Sequence, residues 1–321
     1  MVRIERLLAD CLHDARTGPL GTVALAAEDA GYAAARRTFL AAGLAALRDH
    51  TPEGGWVQLG LAGAPGALPY DRLAATAREL LDGGQARDFF FMHKPPGLRV
   101  RFRAAEPSRA PDLRAALLRR LEPGRDSAWA RPVAGVYEPE TYLFGGPRSM
   151  PWVHALFTAD SRAWLDVHTA AAGDPAPAGW RVSLALLHAV FDGLGIVGWE
   201  HRGVWQAVRE ETGRRLPGAP EDPDRQRAAA GIRAWWELSA EDRLGALPKP
   251  WRDVVREHAA AVGRAAERWH RHYFATGEAT IGPRRAAAHH VVFHWNRGAL
   301  GTARQCLLTE ALAADGREGA D

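Results

Sequence analysis

The segment FFFMHKPPGLRVRFR, Phe89 to Arg103, constrains the fold more than any other stretch of the chain. Two runs of β-forming residues flank Pro95-Pro96-Gly97, a pattern that predicts a hairpin turned at the prolines. Side chains alternate along a strand, so Arg99, Arg101 and Arg103 share one face and Leu98, Val100 and Phe102 take the other. Three like charges on one face need partners. A solvated face with each arginine paired to a nearby acid would supply them. A wall that binds anions or carbonyls would supply them equally, because guanidinium forks hold planar oxygen groups in fixed geometry. Composition alone leaves both arrangements open.

The remaining pattern sets the context of that hairpin. Residues 1–50 read as two helices, the second rich in alanine, and Gly54-Gly55 then punctuates the chain. Trp56 to Leu61 predicts a short strand, Tyr70 to Leu81 an amphipathic helix, Pro111 to Leu121 another helix, and Pro132 to Phe144 a further strand ended by Gly145-Gly146. From Pro147 onward helices dominate, interrupted by proline- and glycine-rich loops at 173–179 and 213–224. The expected fold is α+β, with a mixed or antiparallel sheet in the first half and a helix-rich second half. The expected division is a helical extension over 1–54 and a main domain over 55–321.

Composition narrows the function classes. The 321 residues are 47% hydrophobic, yet no apolar run approaches the roughly 18 to 20 residues that span a bilayer. The N-terminus carries acidic residues and a helical pattern without the apolar core of a signal peptide, which predicts a cytosolic protein. Cys11 and Cys306 offer neither metal spacing nor a disulfide framework. A net charge of +3 argues against bulk nucleic-acid binding, while abundant arginine leaves room for local basic grooves.

Two further segments concentrate polar chemistry. VYEPETYLFGG places Tyr137 and Glu140 before a diglycine, on a strand expected beside the arginine strand. HHVVFHWNRGALG gathers His289, His290, His294, Trp295, Asn296 and Arg297, with surface positions expected for His289 and His290. If Val292 to Arg297 begins a helix or an extended segment, these groups could cluster at one mouth. His188 and Asp192, four apart on a helix, share a face and could pair structurally. His270 and His272 point in different directions on a helix and so disfavour a two-histidine metal site. HExxH, P-loop and GxSxG motifs are absent from the sequence. Tryptophans are core by default, although Trp295 could instead stack on heteroaromatic rings of a ligand.

FFFMHKPPGLRVRFR, YEPETYLFGG and FHWNRGALG, in this order and spacing, resemble the thiopeptide-type bacteriocin biosynthesis domain, the family that includes the glutamate-elimination domain of lantibiotic dehydratases. The resemblance runs from about Trp56 to Leu312 and implies a fold similar to that elimination domain. Elimination domains carry arginine in the aromatic strand where this chain has His93 and Lys94, Arg-Tyr before the diglycine where it has Leu143-Phe144, and a histidine where it has Val292. KPPGLR, FGG and FHWNR look instead like the pyridine synthases of thiopeptide antibiotics. That branch implies a formal aza-cycloaddition between two dehydroalanines of an azole-bearing, dehydrated peptide, followed by loss of water and leader, without cofactor or metal. On this resemblance His93, Arg101, Tyr137, Glu140 and His294 are the expected catalytic groups, while a stand-alone elimination component or a non-catalytic peptide-binding module, which would use the same arginines and aromatics, are the alternatives. Lys94, Arg99, Trp295, Asn296 and Arg297 are the expected substrate contacts. The implied partner is a modified precursor peptide with its leader, which Arg36-Arg37 or Arg284-Arg285 could meet.

Overall fold

The computed structural model describes residues 4–17, 30–50, 54–63, 66–125, 127–170, 179–216 and 222–314. Residues 173–178 and 217–221 of the two loops expected at 173–179 and 213–224 fall outside them, as do residues 18–29. Two compact units are present, Met1–Gly54 and Gly55–Asp321. The first holds α1 (Ile4–Thr17) and α2 (Ala30–His50), which bury Leu7, Cys11 and Ala33. The Tyr32 hydroxyl donates to Asp10 at 2.7 Å and ties the two helices together.

The second unit opens with β1 (Trp56–Ala62), α3 (Tyr70–Asp82), β2 (Ala86–Lys94), β3 (Gly97–Ala104), α4 (Ala110–Arg120) and β4 (Val133–Gly135). The sheet runs β2-β3-β1-β4, with every pair antiparallel. Register places Val57 against Phe102, Leu59 against Val100, and Phe91 against Val100 from the other side. These residues form one apolar face, packed against Leu73 and Leu80 of α3 and Leu113 and Leu117 of α4. The alternation expected of the hairpin is present, with the turn at Pro95-Pro96.

The strand expected over 132–144 is cut to three residues. Beyond Gly135 the Val136 carbonyl accepts from the Gln58 side-chain amide at 2.9 Å instead of joining the ladder, and Pro139 has no N–H to offer. The segment therefore leaves the sheet and lies as a loop, with one 3-10 turn at Thr141–Leu143.

Helices α5 (Met150–Ala170), α6 (Gly179–Gly193), α7 (Glu200–Glu211), α8 (Pro223–Trp236), α9 (Ala240–Gly245), α10 (Lys249–His272), α11 (Pro283–Arg297) and α12 (Thr302–Ala313) make up the rest. Local chemistry sets several of their starts. Proline occupies the first turn of α8, α10 and α11, and the side chains of Asp222 and Ser239 accept the N–H groups of Asp224 and Asp242. In α10 the buried residues Val255, His258, Val262, Ala265, Ala266 and Trp269 follow helical spacing and face α5 and α6. No helix among the described residues is long and apolar enough to cross a membrane.

An edge strand exposes unpaired backbone groups, and α5 and α11 cover this one. The Phe89 N–H donates to Thr158 Oγ1 at 3.0 Å, the Phe91 N–H to Ser161 Oγ at 3.4 Å, and the His93 ring bonds the Asn296 carbonyl at 2.8 Å. Ser161→Ala removes the acceptor of a buried amide and is expected to cost about 1–3 kcal/mol. Urea denaturation of the two proteins measures it, and an unchanged midpoint would show that the Ser161 bond does not support this edge.

Candidate functional site

The sheet face opposite the apolar one carries Trp56, Gln58, Phe90, Met92 and the three arginines. Arg103 lies 3.6 Å from Asp88, its cross-strand neighbour, as a simple ion pair. Arg101 is different. It is only 5% exposed, and its Nε donates to Gln58 Oε1 at 2.7 Å while Nη1 points at Met92 Sδ at 3.7 Å. Its guanidinium sits 5.0 Å from the ring centres of both Phe90 and Tyr137. Burial pushes its pKa down, the nearby Tyr137 and Glu140 oppose that, and Arg99 adds to it. Among the described residues neither Arg99 nor Arg101 has a carboxylate within ion-pair distance. Of the two arrangements weighed from the sequence, pairing to an acid describes Arg103, whereas Arg101 is held by neutral groups.

Tyr137 and Glu140 reach this face from the loop that replaces the expected strand. The Tyr137 ring packs edge-on against Trp56 at 4.8 Å and Phe90 at 5.5 Å, and its hydroxyl meets His154 Nε2 at 2.8 Å. His154 is fully buried on α5, with its ring 4.5 Å from Trp56. The loop closes at Gly145, where φ is +89° and a side chain would collide with the Tyr273 hydroxyl that donates to the Gly145 carbonyl at 2.7 Å. Sequence reasoning missed Gln58 and His154. His154 had a faint signal, as the lone histidine on the buried stripe Met150, Val153, Phe157 of a helix.

His93 does not join these groups, which corrects the single catalytic cluster expected from the sequence. Met92 pairs with Arg99, and His93, one residue on, pairs with Leu98 and turns to the opposite face. There its Nδ1 donates to the Asn296 carbonyl and its Nε2 accepts from the Tyr70 hydroxyl at 2.6 Å. His168 Nε2 donates to the Arg297 carbonyl at 2.8 Å, and its ring stacks on Tyr70. Both imidazoles therefore satisfy the last carbonyls of α11. Burial lowers His93, with the α11 carbonyls opposing; it lowers His168 to about 4 and raises Tyr70 to about 12. Lys94 is exposed at the turn.

The histidine-rich motif is helical from Pro283, so His290, His294 and Arg297 share one face, and that face is core. Asp160 of α5, fully buried, accepts from His294 Nδ1 at 2.7 Å and from Arg297 Nη1 at 2.7 Å. The Trp164 Nε1–H also points at His294 Nδ1 at 3.1 Å, and His294 Nε2 meets Ser183 Oγ at 3.0 Å; Ser183 in turn accepts from Trp295 Nε1 at 3.1 Å. Burial pushes Asp160 up, but His294 and Arg297 outweigh it and hold the carboxyl below its ordinary value. Burial lowers Arg297 to about 10 against Asp160, and its guanidinium lies 4.2 Å from the Phe157 ring centre.

Several expectations are corrected here. His289 and His290 are buried rather than surface residues, because α11 is packed on both sides. Trp295 is fully enclosed and cannot stack on a ligand. His188 gives its ring to the Trp236 carbonyl at 3.1 Å and leaves Asp192 exposed. Arg284 and Arg285 already face Glu200 and Glu211, at 4.0 and 2.8 Å, while Arg36 contacts the Asp10 carbonyl. Asp160, His290 and His294 could in principle hold a metal, with ligand atoms within 4.8 Å of one another. Arg297 already supplies positive charge to the same carboxylate, so this donor set suits the ion pair better than a divalent cation.

The buried histidines make stability pH-dependent. Burial lowers His290 and His188 to about 3 and His168 to about 4. Unfolded histidine takes up its proton near 6.5, so below that pH the unfolded state binds more protons and stability falls. The stabilisation is whole above pH 6.5 and is lost toward pH 3–4, at about 1.4 kcal/mol per pH unit for each histidine. Urea midpoints taken from pH 8 to pH 4 test this, and a flat profile between pH 7 and 5 contradicts it.

Residues 61–314 match the family described as lantibiotic biosynthesis dehydratase C-term. The chain belongs to that family. The fold agrees with the tRNA-dependent lantibiotic dehydratase MibB from Microbispora sp. 107891, at a TM-score of 0.52 and 18% identity over 82% of this chain. The match spans only 28% of that dehydratase, so this chain corresponds to a part of it. A crystal structure of TsrL aligns at a TM-score of 0.46 and 15% identity, covering 80% of this chain and 93% of that one. No curated protein sequence matches.

Proposed function

We propose that the chain is a pyridine-forming cyclase acting on ribosomally made, leader-linked peptides, with the sheet face that carries Arg99 and Arg101 as its active site. Arg101 carries the reading, as a nearly buried guanidinium without a carboxylate partner among the described residues. Burying an uncompensated cation costs several kcal/mol, and a preorganised donor is most useful where oxygen gains charge during a reaction. In the cyclisation one dehydroalanine amide shifts its N–H proton to oxygen and becomes a 2-aza-diene. Two carbon–carbon bonds to the second dehydroalanine then close a six-membered ring, and loss of water and of the leader amide leaves a pyridine. Arg101 and Arg99 suit the amide oxygen or the dienophile carbonyl. Tyr137, backed by His154, and Glu140 suit the proton movements. The exposed Val133, Val136 and Tyr142 offer an apolar rim to a substrate rich in azoles. Holding the two alkenes together would contribute several kcal/mol more, on the order of well-oriented intramolecular reactions.

Glutamate elimination is the second reading, favoured by the family match. His93 at the aromatic strand, Leu143-Phe144 before the diglycine and Val292 on α11 speak against it, since the resemblance expects arginine, Arg-Tyr and histidine there. Mass spectrometry decides between them. The purified chain is mixed with a leader-bearing peptide containing azoles and two dehydroalanines, and separately with a glutamylated one. A released leader amide with a macrocycle lighter by that amide and one water is expected. Glutamate loss without ring formation would sink the cyclase reading.

A further inference from the structure

A groove of about 510 Å³ lies between α5 and α10 beside the first residues of β2, and Arg101 is not part of its lining. Its lining includes Ala155, Ala159 and Ala261, small residues past which a peptide backbone can come close. Four arginines line it as well: Arg87 from β2, Arg162 from α5, and Arg264 and Arg268 one turn apart on α10. Arg162 is 3.6 Å from Asp82. Arg87, Arg264 and Arg268 make no ion pair among the described residues, although surface arginines elsewhere on the chain find acids readily, as Arg120 does with Glu79 and Arg256 with Asp253. Guanidinium forks recognise carboxylates in fixed geometry. Glu257 and Asp88 also line the groove and would repel an unbroken polyanion, whereas spaced carboxylates on a peptide can avoid them. Asp88 in addition pairs with Arg103, the last arginine of the Arg101 face, so groove and face meet at one residue pair.

We infer that this groove docks an acidic segment of the peptide substrate while the Arg101 face acts on the residues to be joined. Only the peptide nature of the substrate is taken from the proposed function; the site itself stands on the unpaired arginines. Each exposed contact is individually weak, so the docking is the sum of several and falls with salt.

Fluorescence anisotropy on the full chain tests it, with a fluorescein-labelled twelve-residue peptide of alternating glutamate and alanine as probe. Its glutamine counterpart and a single-stranded oligonucleotide of equal charge serve as comparisons. The glutamate peptide is expected to bind roughly tenfold tighter than the glutamine one, and to weaken as sodium chloride rises. Arg264→Glu/Arg268→Glu and, from a different element, Arg87→Glu should each lose roughly tenfold, while Arg114→Glu on α4 should not. All four positions are exposed, so the substitutions place no charge in the core. Wild-type affinity in both groove variants would overturn the inference. So would an oligonucleotide that binds tighter than the peptide and is lost in the same variants. Anisotropy reads docking without turnover, so a chain that docks the peptide yet forms no ring keeps this inference and sinks the cyclase reading.

Discussion

Asp160→Asn is expected to lower the unfolding free energy by about 3–5 kcal/mol, the usual cost of breaking a buried ion pair on one side. Asp160 is fully buried and takes one hydrogen bond from Arg297 and one from His294. Asparagine keeps the shape but not the charge, so Arg297 becomes a cation in the core with only the Phe157 face for compensation. Its amide nitrogen must also face one of two donors, leaving a polar group unsatisfied. Urea denaturation of both proteins at neutral pH measures the loss. Adding Arg297→Met to Asp160→Asn should recover part of it, since removing the stranded charge removes most of the penalty. A loss below about 1 kcal/mol in the single variant would show that the pair is not what holds α11 against α5.

The largest effect on turnover is expected from Arg101→Met, a fall of about 100- to 1,000-fold, the range seen when one preorganised donor to a developing oxyanion is removed. Stability should move the other way or not at all. A thioether of similar length fills the space between Phe90 and Tyr137 and removes a guanidinium that has no carboxylate partner among the described residues. Arg101→Lys should not rescue, because an ammonium cannot bond Gln58 and lie flat against two rings at once. Loss of activity with unchanged or improved stability separates a chemical role from a structural one. Single-turnover mass spectrometry and urea midpoints on the same preparations read the two quantities. Turnover within a few-fold of wild type would take Arg101 out of the site.

These two residues also show what was legible in the sequence. The two-residue period of FFFMHKPPGLRVRFR placed Arg101 on a different face from Leu98 and Phe102, and the register bears that out. The same period, applied one strand earlier, already separated His93 from Arg101, but motif proximity had grouped them. The strand expected through Tyr137 failed because strand propensity does not register a side-chain competitor, here the Gln58 amide, for the Val136 carbonyl. His294 and Trp295 were expected at a mouth because polar and aromatic groups look alike in sequence whether they line a cleft or satisfy one another in the core. Only the partner 134 residues away, Asp160, distinguishes the two cases. His154 was only faintly legible as a site residue for the converse reason, since its apolar neighbours are those of any core histidine until Tyr137 arrives from a loop.

Tyr137→Phe tests the assignment of the Arg101 sheet face most directly. The substitution keeps the ring against Trp56 and Phe90 and removes only the hydroxyl held by His154. Ring formation from the leader-bearing peptide, followed by mass spectrometry, and affinity for the same peptide, followed by anisotropy, are measured side by side. The account predicts product formation slowed by roughly 100-fold, as expected for loss of an acid–base group, with affinity within about threefold of wild type. Unchanged product formation, or turnover and affinity falling together, would contradict it.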